Sequence, residues 1–223
     1  MTIDDTVAPL GDVEMSAPAW STATIPARLV EIGVAGALAA VLLVLLWLGV
    51  RPDLASAPSQ PFFWLKAFYT AALASMALSA ATALARPHGA VRPALAVSSA
   101  LIAAMMIAAA IQATRLEPAL LAKLFRPIGI WTCLVNISSL AAPMLVFATW
   151  GLRRVELERP AAMGLATGLF CGGVAATVYG LHCPHSTFVF VGLWYTAAIA
   201  ICGTIGAGAL RLLSLASASA IPD

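Results

Sequence analysis

The sequence contains little charge for its length. Asp, Glu, Lys and Arg together make up 10% of its 223 residues, and hydrophobic residues make up 61%. A soluble globular domain carries about 25% charged residues, so this chain cannot cover its surface with polar groups. The composition therefore predicts a membrane protein whose surface contacts lipid. The formal net charge of +2 predicts no direct contact with nucleic acid, which needs a dense basic patch.

Two further absences narrow the possible functions. No acidic or basic residue lies near the centre of any long apolar run, and the chain contains no Cys-x-x-Cys pair. Ionisable groups inside a membrane mark proton relays and ion pathways, and thiol oxidoreductases commonly use a Cys-x-x-Cys pair. The first absence weighs against a proton-coupled transporter or pump and the second against a thiol oxidoreductase. We predict that the protein is not an enzyme. A membrane thiol oxidoreductase and a small metal or solute carrier remain as alternatives, because the chain has four Cys, three His and seven Met.

Six apolar runs are long enough to cross a membrane. A helix needs about 20 residues to cross about 30 Å of hydrocarbon, and inside the bilayer each backbone polar group must be satisfied within its own segment. The sequence therefore predicts an all-α bundle of six transmembrane helices, at residues 28–49, 62–85, 90–111, 130–151, 160–181 and 187–210. The membrane domain is then 28–213, between an N-terminal tail at 1–27 and a disordered C-terminal tail at 214–223.

Basic residues are distributed unevenly between the two sides of the predicted bundle. If the N-terminus is inside, seven of the twelve Lys and Arg residues lie on the inner side, which is the side that basic residues favour. The Arg153-Arg154 pair is the firmest inner anchor. We therefore predict that both termini are inside. The N-terminal tail has neither the basic start nor the apolar core of a cleavable signal peptide, so we expect none.

Small residues recur on two of the predicted spans. The fifth span carries glycines at four-residue intervals and the sixth carries three more, namely Gly164, Gly168, Gly172, Gly203, Gly206 and Gly208. Such faces let neighbouring helices approach closely. They favour a tightly packed bundle over a path for a substrate.

The four cysteines fall into two groups. Cys171 and Cys202 lie in the middle of spans, where a thiol behaves as a small hydrophobe. Cys133 and Cys183 lie near one interface, where water can support a reactive thiolate. With both termini inside, this interface is on the outer, periplasmic side, where disulfides can persist. His182 and His185 flank Cys183, so the four side chains form a possible site for a soft divalent metal such as zinc, cadmium or copper. Their spacing matches no standard metal motif, and no cofactor is predicted to be obligatory.

The order of several short motifs resembles that of a known family. Cys133 heads the fourth span, and the other motifs are Arg51-Pro52-Asp53-Leu54, Phe63-Trp64-Leu65-Lys66, Leu181-His182-Cys183-Pro184 and Leu193-Trp194-Tyr195. From about residue 26 to residue 213 the chain is similar to the NrsF-like negative regulators of sigma factors. The resemblance implies a multi-pass anti-sigma factor of the bacterial inner (cytoplasmic) membrane. Such a protein holds an extracytoplasmic-function sigma factor and releases it under heavy-metal or oxidative stress, with Cys133 and Cys183 as the sensing residues.

The N-terminal tail departs from the family, whose segment before the first span is often richer in arginine. Here it is acidic and cannot bury enough apolar surface to fold alone, so we predict that it is disordered until a partner binds. An acidic tail can pair with the basic surface of a sigma factor by charge complementarity. The candidate contacts are Leu10, Val13 and Trp20 in the tail, with Arg153 and Arg154 on the inner side. Positive-inside anchoring also explains the two arginines, and the sequence leaves the oligomeric state open.

Overall fold

The computed structural model describes residues 20–218, which form helices joined by short connections. Within this range six helical segments are long and apolar enough to cross a membrane, and no strand occurs. The predicted all-α bundle of six spans is therefore confirmed. Positions 1–19 and 219–223, which include Leu10, Val13 and parts of both predicted tails, lie outside the described residues. The prediction of a disordered tail from residue 214 is wrong for residues 214–218, which continue the last helix. The predicted orientation stays a prediction.

Eight α-helices build the six spans. In chain order they are α1 (Ile25–Leu43), α2 (Pro61–Leu84), α3 (Arg92–Ala113), α4 (Pro118–Leu124), α5 (Pro127–Leu152), α6 (Pro160–Tyr179), α7 (Phe188–Phe190) and α8 (Thr196–Ala218). A π-helical turn at Val44–Leu48 completes the first span, and another at Val191–Tyr195 joins α7 to α8 in the sixth. The fourth span consists of α4 and α5.

The helix starts follow local sequence signals. Helices α1 to α6 each have proline at the first or second position, where its fixed φ suits a helix and its missing N–H costs nothing. The first span ends at Gly49, whose φ of +77° is a conformation that glycine adopts without strain. Helix α5 begins at Pro127, three residues before the predicted start of the fourth span. The short α4 was not predicted, and Trp194 holds it by donating from Nε1 to the Leu124 carbonyl at 3.2 Å.

Small residues bring the fifth and sixth spans into backbone contact. A Cβ added at Gly164 would collide with the carbonyl oxygen of Gly206, and one added at Gly206 would collide with that of Gly164. A Cβ at Gly168 would collide in the same way with the carbonyl of Cys202. The tight packing predicted from the glycine pattern is therefore confirmed. The fifth span is also the most buried of the six.

Polar side chains join the second span to this pair. The hydroxyls of Thr70 and Thr177 are 2.8 Å apart, and those of Tyr69 and Thr196 are 2.7 Å apart. Hydrogen bonds of this kind hold helices together where the surroundings are apolar. The second, fifth and sixth spans therefore form the centre of the bundle. Of its two ends, we call the one with residues 49–60 and 180–187 the cysteine end, and the one with Trp20 and Arg153 the tail end.

Candidate functional site

Lys66, in the second turn of α2, is buried at the cysteine end and holds the backbone around Cys183. Lys66 is only 1% exposed to solvent. Its Nζ donates to the carbonyl oxygens of Cys183 at 2.9 Å and of His185 at 3.4 Å, and lies 5.5 Å from the centroid of the Tyr195 ring. A buried cation needs such partners to offset the loss of water. Lys66 is one of the five basic residues that the sequence places on the outer side, and that assignment missed its role, because its charge faces protein carbonyls.

The connection that carries Cys183 is also fastened from two other directions. The amides of His182 and Cys183 both donate to the carbonyl of Tyr179 at the end of α6, each at 3.0 Å. The carbonyl of Leu181 accepts from the amide of Arg51 at 3.0 Å. The Cys183 peptide is therefore held between the fifth span and the second, and the residues just before it are held by the segment after the first span.

Arg51 and Asp53 form a two-pronged ion pair beside this connection. Arg51 Nε donates to Asp53 Oδ1 at 2.7 Å and Nη2 donates to Oδ2 at 2.6 Å, which is the strong bidentate geometry for arginine. This hydrogen bonding raises the pKa of Arg51 and lowers the pKa of Asp53. Arg51 is only 3% exposed, and its Nη1 has no hydrogen-bond partner among residues 20–218. The guanidinium is therefore held in place by a carboxylate that itself reaches solvent.

The structure brings the two predicted sensing cysteines to one place and buries both. Cys133, near the start of α5, is 0% exposed and Cys183 is 2% exposed. Each lies close enough to Lys66, and to the other, to interact electrostatically, and both are free thiols. The expectation that water reaches them near an interface is wrong, because the rest of the protein encloses both side chains. A reagent can reach these thiols only if the surrounding structure moves.

The two histidines beside Cys183 make separate contacts. His182 Nδ1 lies 2.7 Å from the carbonyl oxygen of Gly49, and the His185 ring stacks on Phe190 with centroids 4.2 Å apart. Burial, and then the nearby charge of Lys66, lower the pKa of His185. Among residues 20–218 no three His, Cys, Asp or Glu side chains form a group that could hold a metal ion. In this arrangement the predicted Cys and His ligands are not assembled, and a metal at this end stays a prediction.

Tyr195 also belongs to this site, although in the sequence it stands out only as part of the motif Leu193-Trp194-Tyr195. It is fully buried, and no described residue makes a hydrogen bond of good geometry to its hydroxyl oxygen. The thiols of Cys183 and Cys133 both lie near it. Tyr195 also ends the π-helical turn of the sixth span, and such turns are frequent at functional sites. Hydropathy carries no signal for this residue, because a buried tyrosine and a lipid-facing one contribute equally.

The other predicted site residues lie elsewhere. Cys171 and Cys202 are both buried in the middle of the bundle. At the tail end, the Trp20 ring packs directly against Gly151, and the guanidinium of Arg153 lies 5.0 Å from the centroid of the Trp150 ring. Arg154 is exposed. The part of Trp20 that faces Gly151 therefore contacts the protein itself, and only the remainder of the side chain is open to a partner.

Comparisons with known proteins give a family. Residues 15–214 match the family NrsF, described as negative regulator of sigma F. The chain is 41% identical over 189 residues to a Caulobacter vibrioides protein named anti-sigma-F factor NrsF, which covers 84% of this chain and 88% of that protein. It is 33% identical over 171 residues to an Azospira oryzae protein named probable anti-sigma-F factor NrsF, which covers 77% and 80%. No solved structure matches the chain.

Proposed function

The chain belongs to the NrsF family of negative regulators of sigma F, and on this basis we propose that it is an anti-sigma factor of the bacterial inner membrane. In this proposal it holds an extracytoplasmic-function sigma factor and releases it when oxidative or heavy-metal stress acts on Cys133 and Cys183. Membership of the family confirms the resemblance that the motifs indicated. It gives the protein a regulatory role and gives no support to the carrier or the oxidoreductase.

One observation supports the cysteine end as the place where stress acts. The motifs that carry the resemblance come from five separate parts of the chain, and they meet there. The Arg51 amide donates to the Leu181 carbonyl, Lys66 donates to the Cys183 carbonyl, and Tyr195 lies near both thiols. Since these contacts surround the only two cysteines at this end, a change at the thiols would be transmitted directly to three spans.

The mechanism we propose is a shift between two packings of the bundle. With free thiols the bundle holds the sigma factor. An oxidant such as hydrogen peroxide converts the two thiols to a disulfide and is itself reduced to two waters, whereas a soft divalent metal displaces two thiol protons and bridges the two sulfurs. Either product stabilises a second packing of the fourth and sixth spans. A stimulus can shift this balance only by favouring one packing over the other.

The sigma factor would bind at the tail end, on the opposite side of the membrane from the cysteines. This placement follows the predicted inward orientation of both termini. The acidic N-terminal tail, with Leu10, Val13 and Trp20 as apolar contacts, would bind the sigma factor together with Arg153 and Arg154. The exposed position of Arg154 and the half-open face of Trp20 are compatible with this role.

Serine substitutions test the proposal. Cys133→Ser and Cys183→Ser remove metal ligation and disulfide formation with little change in volume, so each variant should still repress a sigma-dependent reporter but should no longer respond to peroxide or cadmium. Cys171→Ser and Cys202→Ser are the matched controls and should keep the response. A buried hydroxyl without a partner costs roughly 1–3 kcal/mol. The expression level of each serine variant is therefore measured, so that a loss of folded protein is not mistaken for a loss of response. A double variant of Cys133 and Cys183 that responds normally to both stresses would refute cysteine sensing.

Histidine substitutions then separate the two chemistries. If His182→Ala or His185→Ala abolishes the response to cadmium and keeps the response to peroxide, the histidines complete a metal site. If neither substitution changes either response, the two thiols act without them.

A further inference from the structure

Lys66 occupies a position that the cysteine chemistry alone does not require. A lysine near the end of a membrane span usually extends its flexible stem so that its ammonium reaches water. Lys66 instead turns inward, is 1% exposed, and donates to two carbonyl oxygens of the connection between the fifth and sixth spans. The hydrogen-bond partners of its ammonium are therefore backbone carbonyls of residues 183–185.

The two carbonyls that Lys66 binds belong to Cys183 and His185, on either side of Pro184. Proline has no backbone N–H, so this stretch can donate few hydrogen bonds and depends on being held through its carbonyl oxygens. The amide of Cys183 is bound by Tyr179 at the end of the fifth span. The Cys183 peptide is thus fixed at both of its polar groups, by the fifth span on one side and by the second span on the other.

We propose that Lys66 is a positioning residue that clamps the segment 183–185 in the state with free thiols and thereby favours the packing that holds the sigma factor. The inference rests on the proposed function. In this proposal, a disulfide between Cys133 and Cys183, or a metal held by their two sulfurs, moves the Cys183 main chain. That movement pulls the carbonyls of residues 183 and 185 away from Lys66. Loss of the clamp lowers the stability of the resting packing relative to the second one. Lys66 therefore sets how strong a stimulus must be.

Thiol labelling tests the clamp directly. In full-length protein in membranes, with either Cys183 or Cys171 as the single remaining cysteine, Lys66→Met should raise the rate at which N-ethylmaleimide labels Cys183 roughly fivefold or more, by the usual size of a coupling between sites. Cys171, buried on α6, should stay protected. Lys66→Arg keeps two or more donors and should restore the protection of Cys183, while Lys123→Met, an exposed lysine at the same end, should change nothing.

Three labelling results would overturn the proposal. One is an unchanged rate at Cys183 in Lys66→Met. Another is exposure of Cys171 as well, which would make Lys66 a general folding residue. The third is a Lys66→Arg variant that folds but leaves Cys183 exposed.

The transcriptional consequence is measured with the sigma-dependent reporter. Without any stimulus, Lys66→Met should raise reporter activity roughly fivefold or more. The rise should persist when Cys133 and Cys183 are serines, because the clamp acts on carbonyl oxygens. If Cys183 becomes reactive and transcription does not change, the coupling to the sigma factor is refuted. If the unsubstituted protein does not repress the reporter at all, the proposed function is refuted. The labelling rates of Cys183 still test whether Lys66 holds residues 183–185 in place.

Discussion

Replacing Gly168 with alanine should weaken the contact between the fifth and sixth spans. An added Cβ would collide with the carbonyl oxygen of Cys202 and would lie 2.9 Å from the Cα of Gly203, both backbone atoms that cannot rotate away. Overpacking of this kind costs about 1–3 kcal/mol, and alanine recovers up to about 1 kcal/mol through its better helix propensity. The clash decides the sign, so we expect a net loss of about 1–2 kcal/mol in the free energy of unfolding.

The assay unfolds the protein in mixed micelles with increasing SDS and monitors unfolding by the maleimide labelling of Cys202. The contact between α6 and α8 shields this cysteine in the folded protein. Gly168→Ala should expose Cys202 at a lower SDS fraction than the unsubstituted protein. Gly208→Ala is the matched control, because it is the same substitution on α8 at a position where a Cβ meets nothing within 4 Å. It should leave stability equal or slightly raised. If both variants unfold at the same SDS fraction, the close approach of α6 and α8 is refuted.

Three further predictions concern orientation, the tail and pH. Reporter fusions after Leu10 and at His185 should indicate opposite sides of the membrane, with the N-terminus inside; the reverse, or the same side, would remove the basis for an outward-facing sensor. Deletion of residues 1–20 should raise sigma-dependent transcription while the protein still inserts, and full repression by the truncated protein would place binding on the inner connections. Because burial and Lys66 hold the pKa of His185 below its ordinary value of 6.5, the folded connection disfavours protonation of this ring. Lowering the pH through about 6.5 should therefore loosen the folded connection. The loosening would appear as faster maleimide labelling of Cys183 in the unsubstituted protein than in a His185→Gln control. An equal effect of pH on the two proteins would contradict the prediction.

The spans could be predicted from the sequence because hydropathy is a local property. Apolar runs and the prolines that precede them determine where each helix begins, and most predicted and observed boundaries differ by a few residues. Helix α8 is one exception, because it continues to Ala218 although the sixth span was predicted to end at residue 210. The other is α4, at Pro118–Leu124, where Lys123 interrupts the apolar pattern. Its position depends on the Trp194 indole, 70 residues later in the chain. A contact at that separation leaves no periodic signal near α4.

The site was predicted only in part, for a related reason. Counting membrane crossings was sufficient to place Cys133 and Cys183 at the same end, because only the number of spans matters there. Their burial could not be predicted in the same way, since it depends on tertiary contacts between residues distant in the chain, such as those that hold residues 180–187 to Lys66 and Arg51. The roles of Lys66 and Arg51 were missed because the positive-inside rule treats every basic residue as a charge in water. The available signal for Lys66 was its position as the one charged residue in the first two turns of α2. Its partners could not be predicted, because they are main-chain carbonyls, which every residue has.

The burial of both thiols constrains how any stress signal can act. An oxidant or metal that requires a thiolate cannot react at a sulfur that is covered, so in the proposed mechanism the connection at 180–187 opens before the chemistry occurs. The rate of the response would then depend on how often the connection opens, and its sensitivity on how strongly the closed form is favoured. In this mechanism the same contacts govern both quantities, those of Lys66 with the carbonyls of residues 183 and 185 and of the Arg51 amide with the Leu181 carbonyl. A substitution that loosens these contacts should therefore make the protein faster and more sensitive together, whereas one that only alters the sulfurs should abolish the response without changing the opening.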